Sequence, residues 1–146
     1  METMLHGRCL CGSVRYEYSG KVEYSNYCHC DDCRRATGGP YTISVQAQTD
    51  KLRIITGQVS GYTKIGGSGK EIIREFCPKC GSPLFTKGGK DPEFVYLKAG
   101  CIEESELVKP SCQKWTKCAK SWAYIDENIP SFPENKPLMG DKTTDK

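Results

Sequence analysis

Apolar and polar positions alternate with period two along much of the chain. Val14, Tyr16 and Tyr18 are separated by Arg15 and Glu17, and Tyr41, Ile43, Val45 and Ala47 by Thr42, Ser44 and Gln46. Further short candidates run over Leu52–Thr56, Val59–Ile65, Glu71–Phe76, Pro83–Lys87 and Phe94–Ala99. Successive strand side chains face opposite sides, so each segment predicts a strand with one face buried. Gly66-Gly67-Ser68-Gly69 and Lys87-Gly88-Gly89-Lys90 supply turns between them. Many short strands joined by such turns predict a mainly β domain of several short antiparallel strands. One short helix is predicted over Asp31–Thr37, with Asp31 as N-cap and Gly38-Gly39 ending it. From Pro130 to Lys146 the chain turns polar and proline-bearing without periodicity. That predicts a surface strap and then a loose tail: one domain over residues 1–132 and a polar tail over 133–146.

The length of 146 residues suits one compact domain. Lys and Arg total 21 against 18 Asp and Glu, a net charge of +3 that gives little electrostatic support for nucleic-acid binding. The longest apolar runs, Phe94–Leu97 and Trp122–Ile125, are far shorter than a spanning helix needs, so no membrane association is expected. The start, METMLHGRCL, has no apolar stretch behind a basic beginning, and the expected compartment is the reducing cytoplasm.

The cysteines change the picture most. Seven of the ten fall in three clusters: Cys9-x-Cys11, Cys28-x-Cys30-x-x-Cys33 and Cys77-x-x-Cys80. Thiols this close in sequence pair poorly as disulfides but converge well on one tetrahedral ion at about 2.3 Å from each sulfur. Zinc sites are therefore expected in preference to a disulfide scaffold. In a strand Cys9 and Cys11 would face one side, and Cys77-Pro78-Lys79-Cys80-Gly81 reads as a zinc knuckle. Together they make a closed four-cysteine structural site, the preferred pairing; the rival pairs Cys9 and Cys11 with part of the middle cluster. Cys28, Cys30 and Cys33 are three ligands that leave a fourth position open, as in catalytic zinc. His29, Cys101, Cys112 or Cys118 could close it, Cys101 being the most credible thiol. His29 lies between two ligands, points away from them in a strand, and is expected to pack or face solvent. Three thiolates on Zn²⁺ leave a formal −1 and favour a soft fourth ligand such as an incoming thiolate. Arg34 and Arg35 are candidates to pair with the carboxylates of a small acidic thiol, or are ordinary solvated helix charges.

Three motifs in this order carry a family resemblance. They are Gly7-Arg8-Cys9-Leu10-Cys11-Gly12-Ser13-Val14, Cys28-His29-Cys30-Asp31-Asp32-Cys33-Arg34-Arg35-Ala36-Thr37-Gly38 and Phe76-Cys77-Pro78-Lys79-Cys80-Gly81-Ser82-Pro83-Leu84. The chain resembles the glutathione-dependent formaldehyde-activating enzyme family, which includes centromere protein V, from about Gly7 to Phe132. The resemblance implies a zinc-bound, tent-like β fold with one or two short helical turns. It also implies two zinc ions, a structural one on Cys9, Cys11, Cys77 and Cys80 and a catalytic one on Cys28, Cys30 and Cys33. Two departures stand out: Cys101 occupies a position where the family shows a hydroxyl residue, and Gln113 stands where a histidine or glutamate is common.

Two functional readings follow. In the first the protein is a carbon–sulfur lyase resembling S-(hydroxymethyl)glutathione synthase, which binds a small thiol such as glutathione and joins it to formaldehyde. Arg34, Arg35 and Cys101 are then the substrate-binding candidates. In the second it is a non-catalytic, zinc-stabilised binding module of the centromere protein V type.

Overall fold

A computed structural model describes residues 2–22, 24–89 and 92–135. The fold is mainly β, as the alternation predicts. Ten strands make two sheets, with a single α-helix, α1 (Asp31–Thr37), among the described residues. Strands β1 (Glu2–Arg8), β2 (Arg15–Lys21) and β5 (Leu52–Thr56) form a three-stranded sheet in the order β1-β2-β5. The larger sheet holds β3 (Ser25–Cys28), β4 (Thr42–Gln48), β6 (Ser60–Ile65), β7 (Glu71–Phe76), β8 (Pro83–Gly88), β9 (Phe94–Lys98) and β10 (Cys112–Lys114). Its order is β10-β3-β4-β9-β8-β7-β6. Every pairing is antiparallel except β10 with β3, which is parallel.

The inward residues of both sheets meet in one core. Leu5, Tyr16 and Tyr18 from the small sheet face Val45, Ala47, Leu84, Phe85, Val95 and Leu97 from the large one, all at most 1% exposed. Tyr16 and Phe85 pack edge to face with ring centroids 5.0 Å apart, the arrangement that the ring quadrupoles favour. The predicted parity holds in β2, where Tyr16 and Tyr18 are buried and Arg15 is exposed, but not along all of β4: Thr42 and Ser44, expected to face out, are buried along with Val45 and Ala47, while Tyr41 and Ile43 are only half-buried.

Several sequence expectations need correcting. Strand β1 lies in a segment whose alternation is masked by Gly7 and His6, and β10 is too short to show periodicity. Asp31 is the first residue of α1; the N-cap is Cys30, whose sulfur accepts from the Cys33 amide, and the helix ends on Gly38 at φ 76°. Ala99 leaves the strand and opens a short 3-10 turn through Cys101. The predicted strap exists: Gln113 donates its amide to the Pro130 carbonyl, and Phe132 returns one to Gln113 at 2.8 Å. Packing continues past residue 132, because Asn135 is buried and accepts from the Trp115 indole at 2.7 Å. The rest of the predicted tail, 136–146, lies outside the described residues.

Candidate metal centres and the adjoining cleft

Two groups of sulfurs converge. The Cys9, Cys11, Cys77 and Cys80 sulfurs all lie within 4.8 Å of one another, as do those of Cys28, Cys30 and Cys33. The structure thus groups the cysteines as the preferred pairing expected, and not as the rival one. Among the described residues no other Cys, His, Asp or Glu joins the trio, and the Arg74 guanidinium donates to the Cys33 sulfur at 3.9 Å. Of the residues considered to close it, Cys112 instead contacts the Tyr24 hydroxyl at 3.3 Å, and Cys101 donates to the Pro83 carbonyl.

The first group is built by two similar knuckles, and its local geometry differs from the strand reading. Cys9 and Cys11 lie beyond the end of β1, in a tight turn where the Gly12 amide donates to the Cys9 carbonyl at 3.1 Å. In the second knuckle the Gly81 amide donates to the Cys77 carbonyl at 2.8 Å. Gly12 and Gly81 each have φ 80°, a left-handed conformation that side chains with a Cβ resist. The two turns therefore end alike, each aiming a pair of sulfurs inward. Leu10 ties them together by donating its amide to the Ser82 hydroxyl at 2.9 Å.

The spacing fits a tetrahedral ion. Sulfurs at about 2.3 Å from a common centre have edges of about 3.8 Å. Cys9–Cys11 is 3.6 Å and Cys11–Cys77 is 3.8 Å. Local hydrogen bonds already favour thiolate here. Burial alone would push the Cys9 thiol up, but the Val14 amide and its sulfur and hydroxyl neighbours bring it down to about 7. The Ser82 hydroxyl, aided by the Cys11 and Ser82 amides, brings Cys80 down to about 5. An all-cysteine donor set of this geometry suits zinc.

The trio stands where β3 ends. Cys28 closes β3 between its partners Thr42 on β4 and Lys114 on β10. The chain then turns, with the His29 amide donating to the Lys114 carbonyl at 3.0 Å. Cys30 caps α1 and Cys33 lies in its first turn, so three residues of a short loop and helix face one point. All three are less than 9% exposed, and Trp115 packs against them. The nearby sulfurs of Cys30 and Cys33, followed by burial, hold the Cys28 thiol well above its ordinary value. Three thiolates this close repel one another, and a divalent cation removes that penalty. The donor chemistry therefore fits a metal here as well. His29 packs, as expected: it is fully buried with its ring 5.1 Å from that of Tyr41.

Beside Cys28 and Cys33 is a cavity of about 40 Å³ whose wall carries Arg74, Lys98 and Lys114. Lys98 donates to the Ser44 hydroxyl at 3.1 Å, and burial lowers its pKa against the opposing pull of the Cys33 and Cys28 sulfurs. The Lys114 ammonium sits 5.8 Å from the centre of the Tyr96 ring. Asn26 Nδ2 and Thr86 Oγ1 also belong to residues of this wall, and both atoms are buried without a hydrogen-bond partner among the described residues. Buried polar atoms rarely go unsatisfied, so these two are available to a polar guest.

The sequence candidates sit elsewhere. Arg34 is largely buried and paired with Asp31 at 3.1 Å, Arg35 is exposed, and neither lines the cavity beside the sulfurs. Cys101 lines a wider cleft of about 400 Å³ with Thr37, Tyr41, Thr42, Ser82 and, again, Lys98. The cations that face the sulfurs had a readable signal. Arg74 shares strand parity with the buried Ile72, and Lys98 shares it with Tyr96, so each is a cation on an otherwise partly buried face. Gln113 is occupied structurally: its side chain bridges the backbone of Asp126 and the Ser131 hydroxyl, at 2.7–3.0 Å.

The sequence profile of the glutathione-dependent formaldehyde-activating enzyme family matches residues 4–118. A Halomonas elongata protein, provisionally named as such an enzyme, is 32% identical over 117 residues, spanning 73% of this chain and 70% of its own. A crystal structure of a Rhodobacter sphaeroides protein shares the fold, with a TM-score of 0.52 and 19% identity over 86% of this chain and 98% of that one. With the profile spanning both knuckles and the trio between them, the chain belongs to the glutathione-dependent formaldehyde-activating enzyme family.

Proposed function

We propose that the protein is a zinc-dependent carbon–sulfur lyase-type enzyme that handles the adduct of a small acidic thiol, glutathione in the first instance, with formaldehyde. In this reading Cys9, Cys11, Cys77 and Cys80 hold a structural zinc, and Cys28, Cys30 and Cys33 a catalytic one. The observation that carries it is the buried sulfur trio opening onto a cavity walled by Arg74, Lys98 and Lys114. Zinc bound to the trio would supply a soft Lewis-acid position that keeps an incoming thiol ionised near neutral pH.

The chain's own residues would do the rest. A cavity of about 40 Å³ admits a sulfhydryl and little more, since one water in the liquid takes about 30 Å³. The body of a tripeptide thiol must then lie in the 400 Å³ cleft that shares Lys98 with this cavity. Lys98 lines both spaces and is placed to meet a substrate carboxylate while the sulfur goes inward. Arg74 and Lys114 add positive charge that raises the local concentration of an anionic thiol. Asn26 Nδ2 and Thr86 Oγ1 are free polar groups on the wall of the small cavity, available to a polar atom of the bound thiol. Holding both reactants in this geometry accounts for much of the expected acceleration.

The test is exchange between formaldehyde hydrate and S-(hydroxymethyl)glutathione, followed by NMR saturation transfer with the zinc-loaded protein. Exchange should exceed the uncatalysed rate and return to it in Cys30→Ser. Equal exchange with and without the protein, or an unimpaired Cys30→Ser, would refute formaldehyde chemistry at the trio.

A further inference from the structure

Arg74 and Lys98, which line the cavity beside the sulfurs, also line a chamber of about 230 Å³, whose wall includes Tyr62, Phe76, Pro83 and Phe85. Its floor is rigid, because Phe85 is 1% exposed and locked against Tyr16. Glu75 also borders the chamber, but its carboxylate is neutralised by Lys87 at 3.0 Å. Thr42 contributes a buried hydroxyl with no hydrogen-bond partner among the described residues.

Formaldehyde has no use for such a space. It has no substituent to bury, whereas an apolar cavity of about 150 Å³ is enough to hold benzene. An aromatic-walled chamber directly behind a cation pair is instead suited to a group that is apolar at one end and carries a carbonyl or anionic oxygen at the other.

Resting on the reaction class proposed above, we propose that the carbonyl partner carries an apolar substituent of about phenyl size. That substituent sits among Tyr62, Phe76, Pro83 and Phe85, with its carbonyl oxygen toward Arg74, Lys98 and the Thr42 hydroxyl. The chemistry is a balanced addition. A sulfur lone pair of the thiolate forms the carbon–sulfur bond, and the carbonyl π pair moves to oxygen. The alkoxide then takes up a proton from water, matching the one the thiol lost, to give a hemithioacetal. The reverse sequence cleaves the same bond. Arg74 and Lys98 line both the sulfur cavity and the chamber, so they are placed to meet negative charge as it builds on the oxygen.

Two measurements decide this. In the first, saturation transfer compares glutathione exchange with phenylacetaldehyde and with formaldehyde, each relative to its uncatalysed rate. The enhancement should be greater for phenylacetaldehyde by about tenfold or more, the scale on which a hydrophobic pocket discriminates. Ala36→Leu, which places a larger side chain at the chamber wall on the exposed face of α1, should reduce that ratio. In the second, ligand-observed NMR compares phenylacetate with acetate and needs no turnover. Phenylacetate should bind the wild type about tenfold more tightly, and Ala36→Leu should narrow the gap. Acceleration of formaldehyde alone, or equal binding of the two acids, would overturn the proposal. If neither carbonyl is accelerated, the lyase reading fails, and the binding comparison then decides the chamber on its own.

Discussion

Cys77→Ser and Cys30→Ser remove one sulfur from each cluster, and the structure predicts unequal losses of stability. Cys77 is fully buried, within 3.8 Å of the Cys11 sulfur, and its knuckle joins β7 to the turn after β1. A closed structural zinc contributes on the order of 10–16 kcal/mol to folding, so one ligand in four is worth about 3–4 kcal/mol. For a domain of this size that lowers Tm by about 12–16 °C. Cys30 is different because its sulfur also serves as the N-cap of α1, accepting from the Cys33 amide at 3.3 Å. Serine is a preferred N-cap, so Cys30→Ser keeps the helix start while degrading the metal site. Its Tm should fall by no more than about 4 °C, the equivalent of roughly 1 kcal/mol. The assay is calorimetry paired with elemental analysis of zinc per chain, in reducing buffer, before and after mild chelation. Wild type should carry two ions with one easily removed, and Cys30→Ser should carry the resistant one alone. A Cys77→Ser protein that keeps both ions and melts within about 3 °C of wild type would refute the division of labour between the clusters. So would a Cys30→Ser protein that loses as much stability as Cys77→Ser.

Three further outcomes are expected. Arg74→Met should weaken glutathione binding by about tenfold, the loss of one charge-assisted contact. Arg34→Gln, whose guanidinium is held by Asp31 away from the sulfurs, should stay within about twofold, and titration calorimetry of both variants checks the contrast. Gln113→Leu removes three hydrogen bonds that the fully buried Gln113 side chain makes to the half-buried Asp126 amide and carbonyl and to the exposed Ser131 hydroxyl. It should cost about 2–4 kcal/mol, seen as a lower urea midpoint at unchanged slope. His6 has its pKa raised by the hydrogen bond to Glu104, with Glu17 and Glu103 assisting. Since the folded value lies above the unfolded one, this clasp stabilises fully below about pH 6.5 and fades as pH climbs through the raised value. The Tm difference between wild type and His6→Gln should therefore be larger at pH 5.5 than at pH 8.5; a gap that widens with pH would contradict the sign.

Much of the fold and both sulfur groups were legible in the chain itself. Period-two alternation marks β2 because it has one face in the core and the other outside it, whereas β4 alternates in sequence yet buries Thr42 and Ser44 on its polar face as well. The three clusters are legible because metal ligands borne by a tight turn must be close in sequence, and each knuckle needs a glycine where φ turns positive. That Cys9 and Cys11 belong with Cys77 and Cys80 was an inference from topology, and the convergence of their sulfurs supports it. What spacing could not convey was everything that depends on distant strands meeting. Arg74, Lys98 and Lys114 come from β7, β9 and β10, and only the strand order of the large sheet brings them beside Cys28 and Cys33. Arg34 and Arg35 looked better placed because they are adjacent to Cys33 in sequence, yet a helix turns consecutive residues away from one another, Arg34 is paired with Asp31, and neither arginine lines the cavity beside the sulfurs. Local chemistry is carried by short spacing and was readable there. The cation wall and the aromatic chamber are long-range products of sheet order and packing, and only the folded structure decides them.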